Sequence, residues 1–283
     1  MNTAQPIVIV GMHRSGTSML AELLHESGLF LGWKTQPDHR EAYFFQKLND
    51  WVLREASATW DRPEGIDSLL ADQKASDYVA DYLQHTVQSP RTIEFLGPKK
   101  YASYRSLTRA TEPWGWKDPR TTLTFPLWHR AFPNGKVLHV TRHGVDVARS
   151  LQVRYDKELT AYIARYRKRR LLYSVMDRRT NLNTSIRVAD MADGIELWDT
   201  YVTKARAIVD SFPGETLEFR FEDLLADPDP IMERLLAFCG LPASTTWADR
   251  VDVNRAFAFR KDDDLVAVAK QHADTLAKHG YEV

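Results

Sequence analysis

The sequence predicts an α/β fold in which helices flank a central parallel sheet, and three observations carry that expectation. The apolar runs IVIV at 7–10 and VLHV at 137–140 lack polar alternation, the pattern of strands buried on both faces. Stretches of helical period lie between such runs, and this alternation of strands and helices favours parallel pairing. The first run passes through GMHRSGTSM at 11–19 directly into LAELL, a strand, glycine-bounded loop and helix in the order that cradles an anion.

Residues 7–10 form the first strand, and leucines at helical spacing predict a helix over 17–27. A second helix, over 41–57, carries the aromatic residues Tyr43, Phe44, Phe45 and Trp51, and a third covers 67–88. No strand pattern lies between 62 and 115, so 62–113 reads as a helical insertion or lid within a single domain, 1–283. WGWK at 114–117 is the second strand and enters a helix over 121–131; KVLHVT at 136–141 is the third, followed by helical patterns over 145–153 and 161–177. A helix over 189–211 leads to the last strand, TLEFRF at 216–221, and to a helix over 230–239. Beyond 249 only a terminal helix and a polar turn at KDDD are expected.

Composition narrows the function. Lys plus Arg and Asp plus Glu both number 38 in 283 residues, so any anion site must be local, and general nucleic-acid binding is disfavoured. The single cysteine, Cys239, excludes disulfides and cysteine-based metal clusters and reads as a small buried hydrophobe. His25, His85 and His129 stand alone, and no residues have metal-ligand spacing, so no metal is expected. The first strand begins by residue 6 and no long apolar run follows, which favours a cytoplasmic protein.

The loop has the glycine skeleton of a nucleotide phosphate loop, with Thr17 where a triphosphatase carries lysine. Gly11 and Gly16 permit tight turns, Thr17 and Ser18 add hydroxyl donors, and Arg14 and His13 are the cations at hand. Charge moved from the end of the loop to its middle suits a ligand with less charge to neutralise than a triphosphate. After KVLHV comes TRHGVDVARSL, in which Arg142 at a strand end and Ser150 eight residues later could grip a second phosphate.

Together these stretches resemble the PAPS-dependent sulfotransferases, PAPS being 3′-phosphoadenosine 5′-phosphosulfate, especially the bacterial and tyrosylprotein branches. RSGTSML at 14–20 is similar to their 5′-phosphosulfate loop, and Arg142 with Ser150 to their 3′-phosphate segment. WKDP at 116–119 with FPNGKVL at 132–138, and FEDLLADP at 221–228, are similar to two further family segments. The resemblance implies a P-loop-type fold, PAPS as donor and no metal. It further implies that His13, Arg14, Ser15, Gly16, Thr17 and Ser18 hold the 5′-phosphosulfate, that Arg142 and Ser150 hold the 3′-phosphate, and that Lys117 touches the sulfonate. Glu41 is the first choice for general base, because QPDHRE is similar to the family's N-P-x-G-x-x-E segment; Gln36 and His39 depart from it, and His39 is the second choice.

Residues 154–179 hold nine Lys and Arg against three Asp and Glu. A solvated amphipathic helix face explains this, as does contact with an acidic substrate, an anionic lipid surface or a partner. The acceptor stays open among small molecules, glycans, lipids and peptides. Two other functions also stay open. One is a nucleotide kinase or triphosphatase with a diverged loop. The other is a non-catalytic nucleotide-binding protein, favoured if Lys117 and Glu41 point away from the loop.

Overall fold

The computed structural model describes residues 3–177, 182, 184–243, 247 and 252–283. Its sheet contains β1 (Ile7–Val10), β2 (Gly115–Lys117), β3 (Lys136–Thr141) and β4 (Thr216–Arg220), all parallel, in the order β2-β1-β3-β4. Ile9 stands opposite both Lys117 and Leu138, and every residue of β1 is buried, which is why its sequence needs no polar alternation. Parallel pairing brings all four carboxyl ends to one edge. Gly11, Asp118, Arg142 and Phe221 follow the strands there, at the edge where open α/β sheets bind ligands.

The helices are α1 (Thr17–Glu26), α2 (Tyr43–Glu55), α3 (Gly65–Ala71), α4 (Gln73–Gln88), α5 (Ile93–Tyr104), α6 (Thr121–Ala131), α7 (Gly144–Arg169), α8 (Met191–Ser211), α9 (Phe221–Ala226), α10 (Pro228–Cys239), α11 (Asp263–Gln271) and α12 (Ala273–Lys278). The pattern expected as one helix over 67–88 divides at Asp72, which is extended and caps α4 by accepting from the Ala75 N–H at 2.9 Å. The helix expected from 41 starts at Tyr43, because Ala42 is extended and bridges to Thr35. The two patterns over 145–153 and 161–177 are one helix, α7, that ends at Arg169. α5 escaped the sequence pattern because Gly97, at φ 72°, and Pro98 interrupt it. The KDDD turn is an N-cap: Asp262 accepts from the N–H groups of Asp264 and Leu265 at the start of α11.

Contacts divide the chain into two compact units, Met1–Arg142 with Tyr201–Ala256, and His143–Thr200 with Phe257–Val283. In the first, Leu20, Leu23 and Leu24 of α1 join Ile7, Ile9, Leu138, Phe221, Leu235 and Leu236 in one apolar cluster. A second cluster is aromatic, with Phe45 stacked on Trp116 at 4.2 Å and edge-on to Phe95 and Trp128. Phe44 and Phe45 are therefore core, whereas Trp33 is exposed. Each fully buried ring contributes on the order of 2 kcal/mol. Cys239 is buried, and burial pushes its thiol up to about 12 against the opposing charge of Lys136, so it is inert rather than nucleophilic.

The second unit is held by the last residues of the chain. His143 caps α7, its ring stacks on Phe259 at 4.2 Å, and Asp146 accepts from the N–H groups of Ala258 and Phe259. Asp199 pairs with Lys278 and His279. Of the basic stretch 154–179, Arg178 and Arg179 lie outside the described residues. Among the described residues, no helix is long and apolar enough to cross a membrane.

Candidate functional site

The loop at 11–16 is shaped by three left-handed or unusual backbone positions in six residues. Gly11 has φ 143°, and a Cβ there would stand 2.6 Å from the Val140 carbonyl oxygen. Its N–H donates to Thr122 Oγ1 at 3.0 Å, fastening the loop to the start of α6. Arg14 has φ 70°, unfavourable for a side-chain-bearing residue, and Gly16 has φ 93°. A Cβ on Gly16 would lie 2.2 Å from the ring of Phe221, so only glycine fits between that ring and the start of α1. No side chain caps α1, and Ser15 Oγ is buried without a hydrogen-bond partner among the described residues. An orphaned hydroxyl costs stability unless a ligand completes it, which fits a loop built to receive an anion.

A further cation stands beside the loop, on the neighbouring strand. Lys117, the last residue of β2, directs its ammonium to Ser18 Oγ at 3.1 Å and to Glu41 Oε1 at 2.9 Å. It is 1% exposed, and burial holds its pKa below the usual lysine value although Glu41 opposes the shift. The other oxygen of Glu41 faces Arg120 at 3.4 Å. Arg120 reaches Asp118 at 2.8 Å and Asp50 at 2.5 Å; burial disfavours its charge, but these carboxylates outweigh burial and its pKa is raised. Asn49 closes the network, donating to Asp118 and Thr121 and accepting from Thr124 and Trp128.

On the other flank, Arg142 donates to the Arg14 carbonyl at 3.2 Å and to the Arg255 carbonyl at 3.1 Å. Its guanidinium lies 5.1 Å from the centre of the Phe221 ring, the ring that crowds Gly16. His13 packs edge-on against Trp60, whose carbonyl accepts from Tyr201.

The structure thus brings Lys117, Glu41 and Ser18 together and links Arg14 to Arg142. Thr17 is buried at the start of α1, and Ser150 is half-buried on α7 in the second unit. His39 lies in the turn whose backbone bonds run from His39 and Arg40 to Gln36. Glu41 is not on a helix surface but buried before α2. Sequence reasoning missed Asn49, Arg120, Thr122 and Phe221. Arg120 and Thr122 could have been suspected, since WKDPRTT places them just past a strand end. Phe221 opens the FEDLLADP segment, but nothing in that pattern says that its ring faces Gly16; Asn49's contacts with Asp118, Thr121, Thr124 and Trp128 are likewise not visible in the sequence.

A family profile described as "Sulfotransferase family" matches residues 6–246. Among solved structures, a sulfotransferase from Alicyclobacillus acidocaldarius is 16% identical over 99% of this chain and 98% of its own, with a TM-score of 0.49. The sulfotransferase domain of the Synechococcus PCC 7002 olefin synthase is 15% identical over 96% and 95%, with a TM-score of 0.46. The sulfotransferase domain from the curacin biosynthetic pathway is 12% identical over 95% and 98%, also with a TM-score of 0.46. No curated protein matches the chain. The profile match runs from the first strand past the fourth and takes in the loop, Lys117 and Arg142: the chain belongs to the sulfotransferase family, enzymes of sulfonate transfer.

Proposed function

We propose that the protein transfers a sulfonate from PAPS to an acceptor hydroxyl or amine, in the cytoplasm and without a metal. The observation that carries this reading is the position of Lys117, within hydrogen-bond reach of both Ser18 on the loop and Glu41. It places a cation beside the anion cradle and a carboxylate beside the cation. It also removes the observation that would have favoured the non-catalytic reading, both side chains turned away from the loop.

The residues fit a phosphosulfate: two glycine positions that a Cβ would fill, an orphaned Ser15 hydroxyl and the uncapped start of α1. When bound, the donor supplies a sulfonate on a phosphate leaving group. The loop N–H groups, Arg14 and Lys117 stabilise the charge that grows on the leaving oxygens. Glu41 takes the acceptor proton as the new bond to sulfur forms: Oε2 accepts from both Arg120 and Gln46, whereas Oε1 keeps a lone-pair site after pairing with Lys117. Arg142 takes the 3′-phosphate, a group absent from ATP; Ser150 keeps the role implied by the motif. A chain with one cysteine suits a reducing compartment.

One feature favours a second assignment within the same reaction. Both oxygens of Glu41 face cations, as befits a counter-ion that keeps Lys117 buried, with His39 then serving as base. Calorimetry with adenosine 3′,5′-bisphosphate tests the donor: binding without magnesium is expected, and equal or tighter binding of ATP overturns it. Arg14→Ala is expected to lower turnover about 10²–10³-fold.

A further inference from the structure

Beyond Tyr155, the last buried side chain of α7, the helix runs on for roughly 21 Å to Arg169. Every residue from 163 to 172 is exposed. The sequence here suggested an amphipathic helix, but this half of α7 has no buried face. Arg165, Arg167, Lys168 and Arg169 are spread around the axis at about 100° per residue, and Arg170 follows at the end of the helix. No acidic residue lies between Glu158 and Asp177, so these five cations have no counter-charge within their own segment.

Next comes a short turn carrying large apolar side chains in the open: Leu171 is 88% exposed, Leu172 46%, Val175 81% and Met176 53%. Its backbone is ordered by bonds from the Ser174, Val175 and Met176 N–H groups to the carbonyls of Leu171 and Leu172. Tyr173 stacks on Tyr166 with the rings 6° from parallel, folding the turn back onto the helix. Scattered exposed leucines need no explanation, but four large apolar residues within six, at the end of a cationic helix, do.

The geometry points to a membrane-docking tip: residues 165–176 bind an anionic lipid surface, with the apolar turn entering the interface and the ring of cations at headgroup level. Charge complementarity selects the occupant. Cations spread around an axis suit a plane of anionic headgroups met end-on, whereas a folded protein would read one face of the helix. Nucleic acid would satisfy the cations but leave Leu171 and Val175 in water. An anionic bilayer satisfies both parts, and each basic residue near such a surface strengthens binding about fivefold.

Co-sedimentation of the full chain with vesicles tests this. Binding is expected to phosphatidylcholine vesicles containing about one-third phosphatidylserine, and not to phosphatidylcholine alone; screening should weaken it as salt rises. Replacing Arg167, Lys168 and Arg169 together by Gln should lower vesicle affinity roughly 100-fold. Leu171→Ser with Leu172→Ser should leave salt-sensitive attraction but remove the binding that persists at high salt. Both variants alter exposed residues, and unchanged circular dichroism would verify the fold. The proposal is overturned if phosphatidylserine makes no difference, or if the Gln variant binds like the parent. It is equally overturned if polyglutamate competes fully while the Ser variant binds unchanged, which would mark an acidic protein surface. Self-association lost in the Ser variant, without vesicle binding, would assign the tip to a second copy of the chain and overturn it too.

Discussion

Lys117 and Glu41, 76 residues apart in sequence, meet at 2.9 Å with side chains only 1% and 8% exposed. A buried charge of this kind persists only while its counter-charge is present. Removing one partner of such a pair costs about 3–5 kcal/mol, because the other is left uncompensated.

Glu41→Gln is therefore expected to lower both the melting temperature and turnover, the latter by about 10²–10⁴-fold if Glu41 is the base. Adding Lys117→Met to it should restore much of the stability by removing the stranded ammonium, and none of the turnover. Thermal melts and initial rates on both variants separate the roles. Near-normal turnover in Glu41→Gln alone would move the base to another residue.

Gly16→Ala is expected to disable the loop. The left-handed backbone disfavours alanine by about 1–3 kcal/mol, and the new methyl would meet the Phe221 ring at 2.2 Å. Calorimetry should show loss of adenosine 3′,5′-bisphosphate binding, and Gly16→Ala with Phe221→Leu should recover part of it by relieving the clash.

Arg142→Ala should weaken adenosine 3′,5′-bisphosphate roughly 10–100-fold, the worth of a charged hydrogen bond, while leaving adenosine 5′-monophosphate nearly unchanged. Equal losses for the two nucleotides would mean that Arg142 acts through the Arg14 carbonyl, to which it is bonded, and not on the 3′-phosphate.

Acid stability should depend on Glu218, which pairs with His139 at 2.7 Å and Arg206 at 3.2 Å. Burial raises its pKa, but these partners outweigh burial and bring it from 4.5 to about 2. A carboxyl group whose pKa is lower folded than unfolded stabilises fully above the unfolded value. That contribution is present above pH 4.5 and lost as the pH falls toward 2. Glu218→Gln should flatten the pH dependence of denaturant midpoints across this window, with no change in its slope above pH 5.

Much of the fold was legible because its strands are short and buried on both faces, so IVIV and KVLHVT stand out against helical periodicity. Glycine at 11 and 16 marked the loop because only glycine adopts that backbone where Val140 and Phe221 crowd it. α5 stayed hidden behind Gly97 and Pro98, and the break at Asp72 needed an N-cap hydrogen bond that apolar spacing does not reveal.

By itself, the sequence determined the strand order in the chain, the glycine-bounded loop without a lysine and the resemblance to sulfotransferases, since these depend on residues close together. Only the tertiary structure decided where Lys117 sits relative to the loop. Parallel pairing of β1 with β2 sets Lys117 opposite Ile9, two residues before the loop, and its side chain then reaches Ser18 and Glu41. Asn49 and Phe221 entered the site for the same reason, and Arg120 gained Asp50 and Glu41 that way too: these partners are distant in sequence, which local pattern does not encode.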